Sequence, residues 1–100
     1  MRDLMLVLIT YDVKTETSAG RKRLSRIAKI CCNYGQRVQN SVFECDLDPA
    51  GLVTVRSQLR NEMEESEDSL RFYFLGDKYE KKIEHYGCKK SYDPEGILIY

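Results

Sequence analysis

Acidic residues are missing from the whole stretch between Glu16 and Glu44. Arg21, Lys22, Arg23, Arg26, Lys29 and Arg37 occupy it instead. Net charge carries no message, because 16 Lys and Arg balance 16 Asp and Glu. Any affinity for a polyanion must therefore rest on asymmetry, and the segment from Glu44 to Asp68 reverses the sign. A long hydrophobic run is lacking too. The longest spans about six to nine residues, far short of the roughly 20 that a membrane helix needs. No basic-then-apolar leader precedes it. These absences predict a cytoplasmic protein with no membrane partner. Cys31, Cys32, Cys45 and Cys88 show no C-x-x-C spacing, which excludes a zinc clamp and predicts reduced thiols filling core positions. The only histidine, His85, has no matching motif and reads as structural or surface. No glycine-rich phosphate loop is present.

What is there begins with Leu4-Met5-Leu6-Val7-Leu8-Ile9, apolar enough for a strand buried on both faces, running into Tyr11-Asp12. A helix is predicted over 20–34, capped by Ser18, with Leu24, Ile27, Ala28 and Cys31 on one face. Lys22, Arg26, Lys29 and Asn33 form a basic stripe on the opposite face. Gly35 stands where a left-handed helix cap is expected. Residues 37–46 read as extended, with Asn40-Ser41 as a hairpin turn or a bulge in one strand. Asp48-Pro49 starts a second helix, lined by Leu52, Val55, Leu59 and Met63 and ending near Ser66. Residues 70–75 alternate as a strand, Gly76-Asp77 breaks it, 82–86 form a short strand, and 93–96 a turn. Ile97-Leu98-Ile99-Tyr100 is a last apolar strand.

This order is that of an α+β, ferredoxin-like βαββαβ sandwich in a single domain, 1–100, with a core of about 4–86. The segment of about 87–100 is expected to dimerise the protein, adding its strand to the sheet edge of a second copy. A homodimer follows.

Asp12 is the candidate metal ligand, for Mg2+ or Mn2+. One carboxylate is a meagre site for a hard cation, but a two-fold axis would bring two copies of Asp12 together. The alternative is a strand-end carboxylate that caps a turn or pairs with Lys14. Tyr11 should point to the other side of the strand, into the core or towards substrate by its hydroxyl. Arg21 and Arg23 lie near a helix N-terminus that favours anions. Arg26 and Lys29 extend the basic face, and Arg37 precedes Gln39, Asn40 and Ser41, which can hydrogen-bond phosphate or sugar. Such a set holds a nucleic-acid backbone without reading bases.

With these residues in view, the chain resembles the CRISPR-associated protein 2 family. The resemblance is carried by Leu6-Val7-Leu8-Ile9-Thr10-Tyr11-Asp12-Val13, Gly20-Arg21-Lys22-Arg23-Leu24 and Gly35-Gln36-Arg37-Val38-Gln39-Asn40-Ser41-Val42-Phe43-Glu44-Cys45. Leu70-Arg71-Phe72-Tyr73-Phe74-Leu75-Gly76 and the ending from Ile83 to Gly96 add to it. The tail looks like the branch that accompanies type I-C systems. The resemblance implies a ferredoxin-like homodimer that joins the CRISPR-associated integrase to insert spacers. It also implies a magnesium-dependent endonuclease acting on double-stranded DNA or single-stranded RNA. Asp12 matches the metal-binding aspartate. Tyr11, Arg21, Arg23, Arg37, Ser41 and Phe43 fall at positions linked to nuclease function or substrate contact. Two rivals share the fold: a non-catalytic DNA-binding adaptor of the integration complex, and a toxin-like endoribonuclease of the VapD type.

Overall fold

In the computed structural model, which describes residues 4–75 and 82–88, the first apolar run forms strand β1 (Met5–Asp12). Val7, Ile9 and Tyr11 are buried on one face, while Leu6, Leu8, Thr10 and Asp12 take the other. Helix α1 (Ser18–Tyr34) follows, two residues earlier than its spacing predicts. Its cap is Thr17 rather than Ser18. The extended backbone of Thr17 lets its hydroxyl accept from the Gly20 N–H at 3.0 Å. Ile27 and Cys31 are buried, with Leu24 and Ala28 packed beside them, as the periodicity predicts.

Gly35 is not a left-handed cap. It is extended (φ −161°, ψ −164°) and opens strand β2 (Gly35–Gln39) with no intervening loop. The reason for glycine is space, since a Cβ there would collide with Cys45 Sγ and the Glu44 carbonyl. Gly35→Ala should therefore destabilise the fold by about 1–3 kcal/mol through overpacking. An unchanged urea midpoint would refute that reason.

Strand β3 (Val42–Leu47) returns through Asn40-Ser41. Arg37 pairs with Phe43 and Gln39 with Val42, so the connection is a two-residue hairpin that also holds a bulge. Helix α2 (Pro49–Glu62) starts as read, with Asp48 Oδ1 accepting from the Gly51 N–H at 2.7 Å. Leu52, Val55, Leu59 and Met63 are buried. The helix stops at Glu62, short of Ser66, because Met63 turns extended and the Asp68 carboxylate takes the Glu64 N–H. Strands β4 (Ser69–Phe74) and β5 (Lys82–Gly87) complete the described chain.

The sheet order is β2-β3-β1-β4-β5, antiparallel throughout. Both helices cover one face, giving the ferredoxin-like sandwich with β5 added beside β4. Phe43 and Phe72 are fully buried at its centre, each worth about 1.5–3 kcal/mol of apolar burial. Cys31 and Cys45 are free and buried. Burial pushes their thiols up to about 12 and about 11, Cys31 further raised by Cys45 and Cys45 by Asp46, so both stay protonated packing groups. Among the described residues no helix is long and apolar enough to cross a membrane. The expected break at 76–77, the turn at 93–96 and the last strand at 97–100 lie outside the described residues.

Candidate nucleic-acid interface and the Asp12 face

Strand alternation divides the candidate residues between two sides of the sheet. Asp12 ends β1, opposite Ser69 of β4, on the face that neither helix covers. It is exposed and makes no side-chain hydrogen bond or ion pair among the described residues. Turn capping and pairing with Lys14, its bland alternatives, are thus not what the geometry gives it. Half-buried Leu6 and Leu8 precede it on this face. Leu8 pairs with Tyr73, and Tyr73 with Ile83, so an apolar row crosses the open side. Among the described residues no three of His, Cys, Asp and Glu gather where they could hold a metal. Hard cations want several oxygen ligands, so the described residues of one chain alone do not fit magnesium or manganese.

On the helix side, α1 and the β2–β3 hairpin enclose a groove of about 500 Å3. Arg21, Ser25, Arg37, Asn40 and Ser41 supply its polar lining, and Tyr11, Leu24 and Ala28 its apolar wall. Four residues singled out from the sequence therefore converge: Tyr11, Arg21, Arg37 and Ser41. The Tyr11 ring stacks on Phe43 with centroids 6.1 Å apart, and the Arg37 guanidinium lies 5.2 Å over the other ring. Phe43 is fully buried, so it supports Tyr11 and Arg37 without reaching a ligand itself. Burial, reinforced by Cys31 and opposed by Arg37, pushes the Tyr11 hydroxyl up to about 12. It keeps its proton at neutral pH and can donate a hydrogen bond but not act as a base. Its present acceptor is the Asn40 carbonyl, at 3.5 Å. Arg21 donates through one amino group to the Thr15 carbonyl at 3.0 Å.

Arg23 and Arg26 stand elsewhere. Arg23 Nε lies 2.8 Å from Asp68 Oδ2, and one amino group reaches both Asp68 Oδ1 and Glu67 at 3.2 Å. Arg26 pairs with Glu62 of α2 at 2.6 Å, an acid from the neighbouring helix rather than its own. Lys22, Lys29 and Asn33 are exposed beside it, as the stripe predicts. His85 is structural: Arg71 Nε donates to its Nδ1 at 3.2 Å, which leaves Nε2 to donate to the Gly87 carbonyl at 3.1 Å.

Sequence reasoning missed two things. Ser25 and Ala28 recur from Arg21 at helical spacing, so the groove wall was readable as a face adjacent to the basic stripe. Asp68, read only as the last acid of the segment that reverses the sign, is 0% exposed. No local signal marks its burial, because Arg23 and Lys14, which meet it there, lie far off in the chain.

Residues 5–83 match the family model for the CRISPR associated protein Cas2. A CRISPR-associated endoribonuclease Cas2 of Chlorobaculum tepidum is 64% identical over 95% of this chain and 99% of its own. A CRISPR-associated endonuclease Cas2 of Halalkalibacterium halodurans is 54% identical over 96% of this chain and 100% of its own. Among solved structures, Streptococcus pyogenes Cas2 at pH 6.5 is 60% identical, with a TM-score of 0.68 over 72% of this chain and 87% of that one. On fold and on sequence alike, the chain belongs to the Cas2 family of CRISPR-associated proteins.

Proposed function

We propose that this chain works as a homodimer in CRISPR adaptation, joining the CRISPR-associated integrase in spacer acquisition and hydrolysing phosphodiesters of double-stranded DNA or single-stranded RNA. The observation that carries the reading is Asp12, an exposed carboxylate without a partner among the described residues, at the end of a strand on the sheet face that neither helix covers and that an apolar row crosses. A second copy docked on that face would remove Leu6, Leu8, Tyr73 and Ile83 from water and oppose two copies of Asp12. The relatives from Chlorobaculum tepidum and Halalkalibacterium halodurans carry endoribonuclease and endonuclease names, which supports phosphodiester chemistry. The segment of about 87–100 would bind the two copies by adding to the other's sheet.

Two facing carboxylates would hold Mg2+, or Mn2+ in its place, where one cannot. An ion so held supplies Lewis acidity towards a phosphoryl oxygen and a bound water. The protein's own part is positioning. Arg21 and Arg37 can hold backbone phosphates, Ser41 and Asn40 can bond phosphate or sugar, and Lys29 continues the positive surface together with the part of the Arg26 guanidinium that Glu62 leaves free. Base edges have no dedicated reader there, so binding should be independent of sequence.

The groove and Asp12 lie on opposite sides of β1. That arrangement favours a second reading, a non-catalytic DNA-binding adaptor, because backbone held in the groove of one copy lies across the sheet from the face that carries its carboxylate. One experiment separates the two. Purified dimer is given defined single-stranded RNA and duplex DNA, with magnesium and with chelator. Cutting that requires magnesium supports the nuclease; binding with no cutting in either condition leaves the adaptor. In the same assay Arg21→Ala with Arg37→Ala should flatten the salt dependence of duplex binding by about 1.8, roughly 0.9 per lost phosphate contact. An unchanged slope would remove the groove from the interface.

A further inference from the structure

Asp68 is the buried acid that the proposed chemistry does not use. It sits directly before Ser69, the residue of β4 that pairs with Asp12. Its side chain spans two other elements. Oδ1 accepts from the Lys14 N–H at 3.3 Å, just beyond Asp12, and from Arg23 of α1 at 3.2 Å. Oδ2 accepts from Arg23 Nε at 2.8 Å and from the Glu64 N–H at 3.0 Å. One carboxylate thus ties the exit of β1, the first turns of α1 and the chain after α2 to the start of β4. The segment between Val13 and Thr17 has other anchors on α1. Arg21 donates to the Thr15 carbonyl, and Gly20 abuts the Lys14 carbonyl so closely that a Cβ would strike it. Among the described residues, Asp68 is the side chain that hydrogen-bonds this segment to the chain entering the strand beside Asp12.

We infer that Arg23 and Asp68 are positioning residues for Asp12, clamping the β1 exit so that the carboxylate keeps its orientation on the open sheet face. Arg23 is then not a phosphate contact, although it lies in a basic run next to Arg21. Its Nε and one amino group are already taken by Asp68 and Glu67, and its side chain is 13% exposed. A guanidinium so occupied has little left to offer a backbone phosphate. This inference rests on the reading of Asp12 as the catalytic carboxylate.

The test uses full-length dimer and compares Arg23→Gln and Asp68→Asn with wild type. Arg23→Gln carries the comparison alone should Asp68→Asn fail to fold. Three quantities are read: cleavage kcat and KM with magnesium, the salt slope of duplex binding, and hydrogen exchange at the Lys14 amide. Loosening the exit should lower kcat by up to about a hundredfold with KM unchanged. The salt slope should stay at its wild-type value, and the Lys14 amide should exchange faster. A slope that falls by about 0.9 in Arg23→Gln would show a lost phosphate contact and overturn the assignment. Faster exchange with an unchanged kcat would overturn it equally, reducing the clamp to a stabilising bond. If wild type cuts nothing, the nuclease reading fails. Positioning of a catalytic Asp12 then falls with it, while exchange and slope still decide whether Arg23 clamps the loop or binds DNA.

Discussion

Asp12→Ala is expected to eliminate magnesium-dependent cleavage while leaving the protein folded. The loss should reach about a hundredfold or more, since a metal contributes several kcal/mol of charge stabilisation and each 1.4 kcal/mol is tenfold. Folding should be indifferent to within about 0.5 kcal/mol, because Asp12 is exposed and has no partner among the described residues. In the proposed dimer, removing like charges from the two-fold contact should tighten association in chelator. Asp12→Asn keeps an oxygen ligand without its charge and should fall between alanine and wild type. The measurement is cleavage of defined RNA and DNA by sized dimer, with the melting temperature beside it. A variant that cuts at the wild-type rate ends the shared-cation reading. A variant that cannot cut yet binds duplex DNA and supports spacer integration would move the emphasis to the adaptor.

That experiment probes a residue the sequence exposes plainly. A carboxylate ending an apolar strand stands out, and alternation with period two sends Tyr11 and Asp12 to opposite faces without any knowledge of the fold. Both helices are legible for the same reason: Leu24, Ile27 and Cys31 recur at helical spacing, and Asp48-Pro49 punctuates the second start. These are short-range properties. Legibility stops where distant segments meet. Arg23 reads like Arg21, yet one faces a buried acid from residue 68 and the other a groove. Gly35 reads like a helix cap because the excluded neighbours, Cys45 and Glu44, arrive from the next strand. The convergence of Tyr11, Arg21, Arg37 and Ser41 likewise depends on how α1 lies over the hairpin, which no spacing encodes.

Asp68→Ala carries the largest expected loss of stability. Removing one member of a buried ion pair costs about 3–5 kcal/mol, and the low end applies because Arg23 retains Glu67 and some access to water. About 3 kcal/mol is a large part of the 5–15 kcal/mol that holds a small domain together, and corresponds to a fall of at least about 12 °C in Tm. Burial by itself would raise the Asp68 carboxyl, but Arg23 and the N–H groups of Glu64 and Lys14 outweigh it and hold the group below its ordinary 3.8. The sign of the pH dependence follows. As pH falls through 3.8, the unfolded chain takes up the proton before the folded one does, so folding loses stability. The contribution is complete above 3.8 and disappears as pH drops through the lowered folded value. Urea midpoints measured from neutral pH downwards should therefore fall more steeply below 3.8 in wild type than in Asp68→Asn, which has no proton to gain there. Parallel curves for the two proteins would mean that the carboxylate is not held as its four contacts indicate, and that acid unfolding is driven from elsewhere in the chain.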